Sequence, residues 1–182
     1  MSSRCKVTIL KDTVKKEYIA SESFSQESEN YRRLKDREYI PKLINIDSEN
    51  QSIEIEKIEG LSIYEFASKE GHLPYNLAIK LRDILLDMAS VGIVYTPDFY
   101  KFNEHIFIVD GVVKIIDFDV NIAFPKDSKN YNVYVERRKK HIENEYSFLN
   151  GDYNSWNEFK EILVRAGFSN EIIDDFYQHM DK

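Results

Sequence analysis

Ile115-Ile116-Asp117-Phe118-Asp119 is the stretch on which the reading of this chain turns. Val112-Val113-Lys114-Ile115-Ile116 leads into it as a buried strand would. Asp117 therefore arrives where an ionised carboxylate is expensive unless a metal or hydrogen-bond donors meet it. A second carboxylate, Asp98, stands nineteen residues upstream. Between them, five positions beyond Asp98, is Asn103, whose amide oxygen is a hard donor suited to magnesium. Metal-assisted phosphoryl transfer uses those residue types in that order. One carboxylate receives a hydroxyl proton, an amide oxygen holds metal, and a second carboxylate bridges metal to phosphate.

Working outward, Ile106-Phe107-Ile108-Val109 and residues 112–116 flank Asp110-Gly111, a pair that bends a hairpin. Upstream, Leu77, Leu81, Ile84, Leu85 and Met88 recur at helical spacing, and Gly92 stops that helix. Further back, Lys6-Val7-Thr8-Ile9-Leu10 and Thr13-Val14-Lys15-Lys16-Glu17-Tyr18 predict a hairpin with Val14, Lys16 and Tyr18 on one face. Ser23 with Gln26 predicts a capped helix through Glu27, Tyr31 and Leu34, ended at Ile40-Pro41. Leu43-Ile44-Asn45-Ile46 and Ile53-Glu54-Ile55-Glu56 read as strands around a turn at 47–50. Downstream, 126–132 reads as a loop. Ser155 with Glu158 predicts a second capped helix, ended by Gly167 before another carrying Ile172, Ile173, Phe176 and Met180.

The 182 residues suit one domain or two tight lobes, and the net charge of -7 argues against a nucleic-acid binder held by phosphate contacts. The single cysteine, Cys5, cannot form an internal disulfide. No run approaches ~18 apolar residues, and Met1-Ser2-Ser3-Arg4 lacks the apolar core of a secretion signal. The expectation is a soluble cytoplasmic protein with no membrane and no nucleic-acid partner.

The order of these elements resembles the protein-kinase-like superfamily over residues 5 to 125. Gly92-Ile93-Val94-Tyr95-Thr96-Pro97-Asp98-Phe99 is similar to the catalytic-loop stretch of that family, with Tyr95 or Thr96 where a histidine usually stands. The Asp98-to-Asn103 spacing matches that loop, and Asp117-Phe118-Asp119 resembles the Asp-Phe-Gly segment with Asp119 replacing glycine. No glycine precedes Gly60, so the phosphate-covering glycine loop is absent, and no Ala-Pro-Glu follows Asp117. The economy resembles RIO-type, KEOPS-type and compact effector or viral kinases. The implied fold class is α+β, a minimal kinase-like two-lobe fold. A small antiparallel N-terminal sheet with one helix spans 1–60, and a helical lobe containing a β-hairpin spans 61–182.

That resemblance implies an ATP-dependent phosphotransferase, foremost a minimal serine/threonine protein kinase using magnesium-ATP. A pseudokinase binding module or a small-molecule (sugar or aminoglycoside-like) kinase are the alternatives. Catalytic candidates are Asp98 as base, Lys16 on the phosphates with Lys15 as fallback, and Glu27 as the partner of Lys16. Nucleotide would meet Lys16, Asp117 and the segment of Glu56 and Ile58. Metal would meet Asn103 and Asp117, with His105 as the alternative to Asn103. A protein substrate or regulatory protein partner is implied.

Overall fold

The alternation over residues 5–18 folds back on itself as expected: β1 (Cys5–Ile9) and β2 (Thr13–Tyr18) pair antiparallel, with Val7 opposite Lys16 and Ile9 opposite Val14. In the computed structural model, which describes residues 5–94, 102–118 and 122–180, β4 (Ser52–Glu56) lies on the other side of β2, and β3 (Leu43–Asp47) completes the order β1-β2-β4-β3. Directly opposed residues share a face of a sheet. One face therefore carries Val7, Ile9, Val14, Lys16, Ile53 and Ile55, while the other carries Thr8, Lys15 and Glu54. The turn between β3 and β4 is held by Asp47, whose carboxylate accepts from the Glu49 and Asn50 amides at 3.0 and 3.1 Å.

Helix α1 (Ser21–Arg33) packs on the apolar face and buries Phe24, Glu27 and Tyr31. Its start differs from the expected capping box at Ser23. The helix is capped at Ala20, three residues earlier, and Ser23 is buried inside its first turn. Its end also comes early. Leu34 is the C-cap and Asp36 takes φ 70°, so a left-handed residue turns the chain well before Ile40-Pro41.

Beyond Gly60, β5 (Leu61–Ser62) leads into α2 (Ile63–Glu70). This helix escapes the sequence reading although Ser62 and Glu65 form a capping box. Helix α3 (Leu77–Ser90) follows, then β6 (Ile93–Val94). The short helix α4 (Phe102–His105) runs into β7 (Ile106–Val109), which pairs with β8 (Val112–Ile115). Asp110 and Gly111, at φ 50° and 78°, make the tight turn between them. β5 adds to β7, and β6 pairs with β9 (Ile122–Ala123). The loop expected over 126–132 holds through residue 130, and helix α5 (Tyr131–Glu145) takes over its last two positions. Its charged run hides the pattern, since Val135 and Ile142 are its fully buried side chains.

α6 (Tyr153–Arg165) and α7 (Asn170–His179) finish the chain. Asp152, accepting from the Asn154 amide at 3.0 Å, caps α6 in place of the expected Ser155, which is buried one turn in. The core is continuous: Tyr18, Phe24 and Ile53 join through Ile63, Leu77, Ile115 and Phe118 to Trp156, Phe159 and Phe176. The architecture is α+β with small antiparallel sheets. Among the described residues no helix is long and apolar enough to cross a membrane.

Candidate functional site

Period-two alternation sends Lys16, not Lys15, into the protein. Its ammonium lies 2.8 Å from Glu27 Oε1 on α1 and 3.1 Å from Asp117 Oδ1, just past the end of β8. Glu27 is fully buried, Lys16 nearly so, and Asp117 is partly open to solvent. Tyr18, two residues along β2 and on the same face as Lys16, donates to Glu27 Oε2. The Phe118 amide donates to Glu27 Oε1 at 3.4 Å. Glu27 thus joins β2 to the segment that carries Asp117.

Burial works against the Lys16 ammonium, but the attraction of Glu27, with smaller help from Tyr31 and Asp117, raises its pKa above the ordinary lysine value. Burial also pushes Glu27 upward, against the pull of Lys16 and Tyr18. The two directions compete over one interaction, and the Lys16 direction governs. An ammonium touching two carboxylates keeps its proton, so the pair is ionic. The Tyr18 phenol is pushed up by its burial and then by the Glu27 charge.

Asp117 is delivered by backbone pairing on both sides. The Ile115 amide donates to the Tyr39 carbonyl at 2.7 Å and the Ile116 amide to the His105 carbonyl at 3.0 Å. That second bond brings His105 alongside, with Nε2 at 3.3 Å from Asp117 Oδ2. Asp117 itself adopts φ 70°, a left-handed backbone uncommon outside glycine, asparagine and aspartate. Such a residue persists only where its surroundings over-determine it, and here they do. Phe118 is fully buried, its ring edge-on to Tyr31 at 5.4 Å, and its carbonyl accepts from Asn30 Nδ2 at 3.0 Å. Arg33, a turn further along α1, donates to the carbonyls of Phe124 and Val91 at 2.7 and 3.2 Å.

The structure thus brings Lys16, Glu27, Asp117 and His105 together. Asp98 and Asp119 lie outside the described residues. Asn103 is placed by its backbone in α4, two residues before His105. Among the described residues no group of three or more histidine, cysteine, aspartate or glutamate side chains is arranged to hold a metal. The amides of Glu56 and Lys57 are spent at the end of the sheet, on the carbonyls of Lys42 (2.9 Å) and Asp12 (3.1 Å). Half-buried Ile58 follows outside the strand. The Glu56 carboxylate points to Lys114 and the Lys42 amide. Gly60 closes this segment where only glycine fits, because a Cβ there would stand 2.5 Å from the Ile108 carbonyl oxygen.

Sequence reading missed Tyr18, Asn30 and Arg33 as parts of this site. Two of them carried a signal: Tyr18 shares the face of Lys16 by period two, and Asn30 follows Glu27 by one helical turn. Nothing in the sequence marks the backbone carbonyls that Arg33 reaches.

No family model matches the chain, and no curated protein matches it. Among solved structures it is similar to one titled "High resolution (2.2 A) crystal structure of WbdD", at 13% identity and a TM-score of 0.48. The alignment covers 98% of this chain and 43% of that one, so the chain spans less than half of that structure's length. These findings overturn the expected membership in the protein-kinase-like superfamily. With no family model matching, the similarity in element order and motif spacing does not place the chain among RIO-type, KEOPS-type or compact effector kinases.

Proposed function

We propose that this chain is an ATP-dependent phosphotransferase that uses magnesium, with residues 1–60 and 61–182 as two lobes, kinase-like in arrangement, around a nucleotide cleft. The proposal rests on local chemistry. One observation carries it: a buried lysine held by a helix carboxylate on one side and by a second carboxylate, from a residue 101 positions away in the sequence, on the other.

Lys16 in this reading presents its ammonium to the nucleotide phosphates, and Glu27 keeps it extended. Asp117 offers a carboxylate whose oxygens touch Lys16 and His105, and a carboxylate is a hard donor suited to magnesium. Asn103 is the assigned second metal ligand, with His105 as the alternative. Asp98 is assigned to orient and deprotonate the acceptor hydroxyl of a protein serine or threonine. Magnesium, when bound, neutralises charge on the phosphates. A flat apolar base suits the inner face of the sheet beyond Lys16, where Val7 and Ile9 are 52% and 69% exposed beside half-buried Val14.

Calorimetric titration of ATP with and without magnesium tests this reading. The wild-type chain is expected to bind the nucleotide in a magnesium-dependent manner. Asp117→Asn should lose that dependence, and Lys16→Met should lose affinity where Lys15→Met does not. Unaltered magnesium-ATP affinity in Asp117→Asn overturns the assignment. Binding without phosphate transfer to any acceptor or to water would leave a nucleotide-binding module instead of an enzyme.

A further inference from the structure

Glu27 is a carboxylate with no exposure to water, and its two oxygens are satisfied from different directions. Oε1 takes Lys16 and the Phe118 amide. Oε2 takes the Tyr18 hydroxyl, its one donor among the described residues. Removing that hydroxyl leaves half of a buried carboxylate without a partner, a situation that side chains escape by rotating or by taking up a proton. Either escape loosens Glu27 from Lys16. The ammonium then has one carboxylate left within reach, Asp117, already at 3.1 Å.

We propose that Tyr18 is a positioning residue that apportions Lys16 between its two carboxylates, holding it on Glu27 so that Asp117 stays available to a metal ion. The assignment of metal to Asp117 rests on the proposed function; the hold on Lys16 does not. The Tyr18 ring has its own place against Phe24, with centroids 5.8 Å apart, so Tyr18→Phe deletes the hydroxyl while keeping the packing.

The test has two arms on the intact chain. In the first, lysine side chains carry ¹⁵N and the Lys16 ammonium is observed by NMR, assigned through its disappearance in Lys16→Met. Wild type should show a slowly exchanging ammonium, Tyr18→Phe should lose it to exchange, and 3-fluorotyrosine at position 18, which keeps the hydroxyl, should retain it. An unchanged ammonium signal in Tyr18→Phe overturns the proposal. Should Tyr18→Phe not fold, the fluorinated side chain decides alone: its stronger donor should slow ammonium exchange further, and an unmoved rate overturns the proposal. In the second arm, Tyr18→Phe should weaken magnesium-ATP binding about tenfold in the wild-type background and less than about twofold in Lys16→Met, since it acts through that lysine. Equal losses in both backgrounds overturn it. A wild-type chain that binds no magnesium-ATP refutes the proposed function, and the ammonium arm then upholds or overturns the role of Tyr18 by itself.

Discussion

The N-terminal sheet and the C-terminal helices bury their apolar residues differently. Around α6 and α7, Trp156, Phe159, Phe148 and Phe176 form a contiguous aromatic cluster with ring centroids 4.9 to 6.4 Å apart, every member buried. In the sheet, Val7, Ile9, Leu10 and Ile44 remain exposed, and the deepest side chains next to the apolar face include an ion pair. The helices gather their rings into this cluster and leave Tyr153, Val164 and Tyr177 exposed. The sheet leaves part of its apolar face exposed and buries an ion pair beside it.

The contrast is broken or sharpened most severely in the helices. Phe176→Ala should destabilise the chain by about 3–5 kcal/mol, because the aromatic cluster cannot collapse around the vacated ring. Urea unfolding followed by circular dichroism would measure it. Gly60→Ala, at the junction of the two regions, should cost about 1–3 kcal/mol, since the new methyl meets the Ile108 carbonyl and the Val109 side chain and one strand must shift. The same titration applies, and a neutral outcome would show that the junction yields freely.

Alkali probes the buried titratable groups. Lys16, Tyr18, Tyr31 and Tyr146 all have pKa values pushed upward. For the tyrosines burial is the largest cause; for Lys16 burial, the largest single influence, pulls downward and is outweighed only by Glu27, Tyr31 and Asp117 acting together. The folded chain therefore holds these protons more tightly than the unfolded chain does. Their contribution is fully present below about pH 10 and is lost as the pH rises beyond it, by up to about 1.4 kcal/mol per pH unit for each group. Thermal midpoints measured from pH 7 to 11.5 should stay flat and then drop steeply. A flat line to the end would mean that these groups are solvated in solution. The smallest effect belongs to the sheet: Ile9→Ser should change stability by less than about 0.5 kcal/mol. If it destabilises as Phe176→Ala does, the exposed face is covered in solution and the comparison fails.

Local rules made the hairpins and the ion pair legible. Alternation put Lys16 and Tyr18 on one face, Asp110-Gly111 marked its bend, and an apolar run ending in Asp117 announced a carboxylate in need of partners. Helix ends were misread where two caps competed. Asp152 outranked Ser155, and the capping-box pair Ser62 and Glu65 was passed over beside the more conspicuous Glu59-Gly60. Helix α5 was hidden because its exposed sides are a run of charges. Long-range contacts were illegible for a different reason. That Arg33 reaches the carbonyls of Val91 and Phe124, or that Arg37 and Tyr39 converge on Asp87 at 2.7 and 2.6 Å, depends on how separate elements dock. Membership in a known kinase superfamily was inferred from order and spacing, and those patterns are too short to establish descent.

The left-handed backbone at Asp117 also limits how this position can change over generations. Glutamate or alanine there would incur a conformational penalty of about 1–2 kcal/mol on top of any lost chemistry, whereas asparagine tolerates the same backbone. A lineage that abandoned the carboxylate would reach asparagine at the least structural cost. Descendants with Asn at this position would then mark where the chemistry was given up and the fold retained.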